Sequence, residues 1–284
     1  MKRKAYPVII AIILVCSITG CSNNNLNLQA YTTSGETVEQ ENGDGQTEGR
    51  GDGAYAASLA ELRNYSGTQT VVINENETDF SASEKATRSD YNIVVGASDS
   101  DYAYVKAVVG PDSLQDESSE SNTEGAMITD YLLPGSLGGD EADDKNTATL
   151  TREAAEAILL YEDQIKDYIK ETGNHVLLLK SGYNQYYRVT NVVSGIHFEA
   201  ISLEDDGEGI SFNVYIYNAA PNIGIDYKTG ETWEATDDTA YIIDDDMMFH
   251  RIGYENLAQS AQEVETSRDE LVNEGYRACP SCKP

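Results

Sequence analysis

The sequence predicts an α+β chain: one long amphipathic helix, an antiparallel sheet that it packs on, and a small α+β module at the C-terminal end. Three observations carry this. Thr151-Arg152-Glu153 starts a helix that Thr149 or Thr151 can cap, with acidic residues in its first turns, an apolar stripe of helical period and a glycine stop at Gly173. It is followed by runs of β-branched and aromatic residues divided by short Gly/Asp/Ser turns. The last 40 or so residues then change character, ending in Cys279-Pro280-Ser281-Cys282.

Met1–Gly20 reads as a targeting segment. Lys2, Arg3 and Lys4 form a basic start, and Pro7–Ile18 is an apolar core shorter than a comfortable membrane span. Ile18-Thr19-Gly20-Cys21 resembles a bacterial lipobox, which implies cleavage before Cys21, lipidation of that cysteine and display on the outer face of the cell membrane. Residues 21–53 are polar, glycine-rich and almost without large apolar side chains, so they bury too little surface to offset the entropy of ordering. They read as a disordered tether. What remains divides into a main domain over 54–235 and a small module over 236–284.

In the main domain, Ala54–Asn64 is expected as a short helix with Leu59 and Leu62 on one face, broken by Tyr65-Ser66-Gly67. Thr70–Asn74 reads as a strand, Ser81–Asp90 as a loop, and Tyr91–Val95 and Tyr102–Val109 as strands ending at Gly110-Pro111-Asp112. Gln115–Thr123 and Gly138–Thr149 are acidic and small-residue-rich and read as loops. On the long helix, Ala154, Ala157, Ile158, Tyr161, Ile165, Tyr168 and Ile169 share the face expected in the core. Val176–Leu179, Tyr186–Val193, Ile196–Leu203 and Ile210–Tyr217 follow as an antiparallel meander. Pro221–Tyr227 is an edge piece, and Lys228-Thr229-Gly230 turns the chain away.

The 284-residue chain has 19 Lys and Arg against 49 Asp and Glu, a formal charge of −30, and loss of the leader would leave it more acidic still. Such a surface repels phosphate backbones and anionic headgroups unless a basic patch intervenes, and no cluster of four or more Lys/Arg follows the leader. Tight nucleic-acid binding is therefore disfavoured. Of the four cysteines, Cys16 belongs to the leader and Cys21 to the lipobox. Cys279 and Cys282 form a lone CxxC, which in an exported protein is a tight disulfide, half a metal site or idle.

Three segments, DYIKETGNHVL (Asp167–Leu177), SLEDDGEGISFNVYIYN (Ser202–Asn218) and IDYKTGE (Ile225–Glu231), resemble the DNA/RNA non-specific endonucleases. That family includes the nuclease toxin domains exported by type VII secretion systems in Gram-positive bacteria. The resemblance implies a ββα-metal fold in which a histidine on a strand is general base and an asparagine on the following helix holds a divalent cation such as magnesium. The family's acidic, asparagine-rich run falls on Asp140–Asn146 and its T-G-T-R run on Thr149–Arg152. Its R-x-H then lands on Ile128–Leu133, where this chain reads ITDYLL. The arginine position falls near Thr129, the histidine position at or beside Tyr131 and the asparagine position near Ala155. Asp130, Asp143 and Asp144 are the acidic residues near enough in sequence to replace a ligand. Tyrosine, with a reference pKa of roughly 10, is a poor base at neutral pH. The resemblance thus implies a catalytically inactive copy acting as a binding or surface protein. A metal-dependent nuclease with a replaced base, requiring magnesium, and an immunity or scaffold partner of an active nuclease are the alternatives.

Tyr241–Pro284 resembles the small zinc module of the Ada repair protein, with its F-H/C-x-P-x-C and G-Y-x-P-C-x-x-C-x-P patterns. Here these read Phe249–Tyr254 and Gly275–Pro284. The resemblance implies zinc ligands at His250, Cys279 and Cys282, with Tyr254 where a fourth, cysteine ligand is expected. A Cys279–Cys282 disulfide or free thiols are the alternatives. Asp244-Asp245-Asp246 lacks calcium-loop spacing and reads as a solvated turn, and His197 reads as an ordinary strand residue.

Overall fold

The first described strand is β1, Tyr55–Ala56, and it runs parallel to β2, Thr70–Ile73, pairing Tyr55 with Val72. A computed structural model describes residues 55–86, 94–97, 102–116, 126–183, 190–236, 238–257 and 259–284, which lie in one unit spanning Gly49–Pro284. The leader, Cys21 and the tether are outside the described residues. Among the described residues no helix is long and apolar enough to cross a membrane.

The helix expected over 54–64 does not form. Between β1 and β2 there is a single 3-10 turn at Leu59–Glu61; Leu59 stays exposed, and Leu62 packs beside Ala56, Val71 and Tyr215. Two leucines in eleven residues bury too little to offset the cost of nucleating a helix. The loop expected at Ser81–Asp90 contains a one-turn helix, α1 (Ala82–Lys85), held by a capping box between Ser81 and Glu84. β3 (Val94–Ala97) and β4 (Tyr102–Val109) pair antiparallel. Residues 117–125 are not described. β5 (Met127–Tyr131), where the sequence marks no element, pairs antiparallel with β6 (Thr147–Thr151), which begins inside the run Gly138–Thr149 read as a loop.

α2 spans Arg152–Thr172 and ends at Gly173, whose φ of +72° is a left-handed cap that costs glycine nothing and any Cβ-bearing residue strain. β7 (Val176–Tyr183), β8 (Gly195–Ser202) and β9 (Ser211–Tyr217) then complete a seven-stranded sheet in the order β1-β2-β9-β8-β7-β4-β3. It is antiparallel throughout except for β1 with β2. The strand expected over 186–193 is not one where it is described: residues 190–193 make only an isolated bridge, Val192 to Thr149, and 184–189 lie outside the described residues.

α2 covers one face of this sheet. Ala154, Ile158, Ile165 and Ile169 are buried against Val105, Ala107, Leu178, Phe198, Ala200, Phe212 and Val214, with Ala157, Tyr161 and Tyr168 packed at the margin. Each buried isoleucine contributes about 1.5–3 kcal/mol by removal of its side chain from water. The stripe also holds a charged pair that apolar periodicity does not show: Glu162 and Lys180 are buried and bonded, the Lys180 ammonium 4.7 Å from the centre of the Phe198 ring. Burial pushes the Glu162 carboxyl up, and Lys180 works against that shift.

Lys228-Thr229-Gly230 does not lead the chain away. It reverses it, so that β10 (Ile223–Asp226) pairs with β11 (Glu231–Glu234). The last element group is a four-stranded sheet, β14-β12-β13-β15, from β12 (Ala240–Ile243), β13 (Met248–Arg251), β14 (Gln262–Glu265) and β15 (Arg277–Ala278). α3 (Arg268–Asn273), capped by Ser267 and Glu270, sets Leu271 and Val272 against Tyr241 and Phe249. Tyr65 joins this small core and also meets Tyr217 edge-on, 5.8 Å between ring centres.

Candidate metal centre and the strand–strand–helix unit

β5, β6 and α2 follow one another as strand, strand and helix, the order implied for a ββα unit. The register pairs Met127 with Thr151 and Tyr131 with Thr147. Thr151 ends β6 and caps α2: its hydroxyl accepts from the Ala154 amide at 3.1 Å, and its own N–H donates to Asn218 Oδ1 at 2.6 Å. The loop joining the strands is closed by Asn146, which has no exposed surface. Its Oδ1 accepts from Leu133 N–H at 2.9 Å, and its Nδ2 donates to the carbonyls of Leu133 and Asp140 at 2.8 and 3.0 Å.

The three positions where the resemblance requires chemistry sit on this unit. Thr129 is exposed on β5, Tyr131 is half-buried at its end, and Ala155 is buried in the first turn of α2. Asp130 Oδ1 accepts the Tyr131 amide at 2.8 Å, and Asp143 Oδ1 accepts the Lys145 amide at 3.0 Å. The chain has three histidines and none lies on β5, β6 or α2. His175, before β7, is 2.8 Å from Glu204; His197, in β8, has Nε2 2.8 Å from Asn213 Oδ1; His250 is in β13. A methyl group at Ala155 offers no ligand, and no imidazole faces it as base. The histidine base and asparagine ligand that the resemblance implies are thus absent from these positions.

The second constellation is in the C-terminal sheet. β13 carries His250, and β15, parallel to it, leads into the CxxC. The Cys279 amide donates to Phe249 O at 3.0 Å and the Lys283 amide to Cys279 O at 2.9 Å, so the two thiols turn toward the strand bearing His250. The ligand atoms of His250, Cys279 and Cys282 lie within 4.8 Å of one another, and Cys282 Sγ is 3.8 Å from His250 Nδ1. Bond lengths of about 2.0 Å to nitrogen and about 2.3 Å to sulfur at a tetrahedral angle would put such atoms about 3.6 Å apart. His250 and Cys279 are buried and Cys282 is half-buried; neither cysteine is in a disulfide. Burial pushes the Cys282 thiol up, opposed by hydrogen bonding from backbone amides of Arg251 and Cys282 itself. The residues fit a soft cation such as zinc.

Behind the imidazole stands Asp244, a residue read as part of a solvated turn. Its Oδ2 is 2.9 Å from His250 Nε2, and its Oδ1 accepts the amides of Met248 and Asp246, each at 3.0 Å. Burial works to raise this carboxyl, but the imidazole and the two amides outweigh it and hold it below the usual aspartate range. Tyr254 stacks on a face of the imidazole, the ring centres 5.3 Å apart and the planes within 8° of parallel. A carboxylate six residues before a histidine, across a tight hairpin, was the sequence signal for Asp244, masked by the two aspartates that follow it.

No known protein-family profile matches the chain, and no curated protein matches it. Solved structures do align with it. NucA from Streptococcus agalactiae with magnesium bound is 17% identical at a TM-score of 0.48, covering 58% of this chain and 87% of that one. The Sda1 nuclease with a bound zinc ion is 19% identical at 0.40, covering 51% and 82%. An extracellular endonuclease is 14% identical at 0.38, covering 55% and 95%. These likenesses are distant, and the α+β description stands on the strand order and register given above.

Proposed function

We propose that this chain is an exported, lipid-anchored surface protein whose nuclease-like domain binds rather than hydrolyses, and whose C-terminal module carries zinc. The observation that carries the reading is the composition of the strand–strand–helix unit. The three sequence segments quoted above resemble a family that works through a histidine and an asparagine, and the resemblance sets Tyr131, on β5, and Ala155, on α2, at those places. Those two places therefore supply neither an imidazole base nor an amide oxygen. The formal charge of −30 points the same way, since a phosphate backbone is repelled while a cationic protein surface is attracted. Lipidation of Cys21 and the polar tether would present the domain outside the membrane to such a protein partner.

His250, Cys279 and Cys282 are the residues that would hold the metal. Bound there, it would cross-link β13 to the turn after β15.

The test is incubation of the purified chain with plasmid and with RNA in magnesium or manganese, alongside metal analysis of the chain and its Cys279→Ser variant. The reading expects no cleavage above buffer and about one zinc per chain that the variant loses. Cleavage abolished by Tyr131→Phe or Asp130→Asn would establish a working nuclease with a replaced base instead.

A further inference from the structure

Three protein donors are one short of a closed tetrahedral shell. Structural zinc sites are closed by four nitrogen or sulfur ligands, whereas a set of two cysteines and one histidine leaves a position for something else. Among the described residues, His250, Cys279 and Cys282 form the one group of three or more His, Cys, Asp or Glu whose ligand atoms converge. Asp244 cannot complete the shell, because both its oxygens are engaged on the far side of the imidazole. Tyr254 is stacked nearly parallel to the imidazole, so its hydroxyl is carried in a plane offset from the one containing the Nδ1 lone pair. Of the three ligands, His250 and Cys279 are buried and only Cys282 reaches the surface. The fourth position is therefore approached from the Cys282 side.

We propose that the metal at this site keeps its fourth position for a neutral monodentate nitrogen donor of the imidazole class, offered from outside the chain. This rests on the metal reading above. The charge balance selects the donor: two thiolates already neutralise a divalent ion, and Asp244 behind the ring is matched by the Arg251 guanidinium on Lys283 O beside Cys282, so an anionic fourth ligand would leave an excess negative charge in a chain of formal charge −30, which an imidazole would not. Asp244 is a positioning residue here. By accepting the proton on Nε2 it leaves the Nδ1 lone pair for the metal, the arrangement in which a carboxylate orients a ligating histidine. An exposed histidine of a partner protein is the macromolecular form of such a donor.

Cobalt(II) replacement in the full chain tests this spectroscopically. Binding of one cobalt with a two-thiolate charge-transfer band is expected, and imidazole should shift the ligand-field bands saturably, at concentrations about tenfold or more below those at which azide does. Tyr254→Phe should leave the starting bands unchanged, and Asp244→Asn should weaken cobalt binding about 10–100-fold. A chain that takes up no cobalt refutes the metal reading itself. Cobalt bound through both thiolates with bands that ignore imidazole, that answer azide as readily, or that change in Tyr254→Phe leaves that reading standing and overturns the open position. Unchanged affinity in Asp244→Asn overturns the role given to Asp244.

Discussion

Single side chains decide the shape of the strand–strand–helix unit, and Asn146 decides most. It is fully buried, and its amide serves three backbone groups across the loop between β5 and β6. Replacing it by alanine leaves those groups without partners in a place water reaches poorly. Asn146→Ala is expected to lose about 2–4 kcal/mol, from about 1–3 kcal/mol for each stranded buried group less what relaxation recovers; urea unfolding of the two proteins measures it. Asp205 gives a second expectation. Burial tends to raise its carboxyl, but the hydroxyls of Ser202 and Tyr168 and the Gly207 amide outweigh this and hold it below its usual value of 3.8. The Tyr168 bond is 2.8 Å. A depressed carboxyl contributes stability that is complete above its unfolded value and is lost as pH falls through the lower folded value. Denaturation midpoints should therefore fall below a pH of about 4, and Tyr168→Phe should make that fall smaller, because the unfolded carboxyl sets its onset and the folded one only its extent. A midpoint indifferent to the Tyr168 hydroxyl throughout the acid range would dissociate Asp205 from it.

At the scale of elements, α2 was legible because its stripe recurs with helical period and its ends are marked by Thr151 and Gly173. The structure adds a distinction the period alone does not make. Ile165 is fully buried, while Leu160, equally apolar, is 49% exposed. Ile165→Ala is expected to cost about 2–5 kcal/mol and Leu160→Ala about 0.5 kcal/mol or less. Equal losses in thermal unfolding would mean that α2 lies on the sheet by a different face. β7, β8 and β9 were legible for the same reason, as β-branched runs between turns. β5 and β6 were not, because ITDYLL and the acidic run before Thr147 carry no alternation strong enough to mark a hairpin. What holds that hairpin is the Asn146 amide and the Thr151–Asn218 bond, made by residues distant in sequence. The candidate site divides likewise. His250, Cys279 and Cys282 could be read from spacing and resemblance, but Asp244 becomes visible only when β12 and β13 fold back to bring its carboxylate to the imidazole.

In the whole molecule, the candidate metal centre is tied to the β10–β11 hairpin through the residues just beyond it. Pro284 O accepts from Trp233 Nε1 at 3.2 Å and from Arg268 Nη1 at 2.8 Å, and Arg268 Nε donates to Pro221 O at 2.9 Å. Lys283 is bonded to Glu231, and its ammonium is 5.9 Å from the Trp233 ring. Fixing Cys282 therefore fixes what touches β11. Trp233 is the one tryptophan of the sequence, which makes it an internal reporter. Removing metal with a chelator is expected to red-shift its emission as the tail loosens and water reaches the indole. Cys282→Ser should start from the shifted spectrum and not respond to chelator. Emission that ignores both would uncouple the tail from the metal.

On the proposed function, the strand–strand–helix unit has a nuclease-like frame without its chemistry. Turnover of supercoiled plasmid by the purified chain in magnesium, with and without the paired changes Tyr131→His and Ala155→Asn, tests it most directly. The account expects no nicking by the natural sequence at any enzyme concentration that leaves the fold intact, whether or not the paired changes confer activity. Nicking by the natural sequence that disappears in Tyr131→Phe would contradict it.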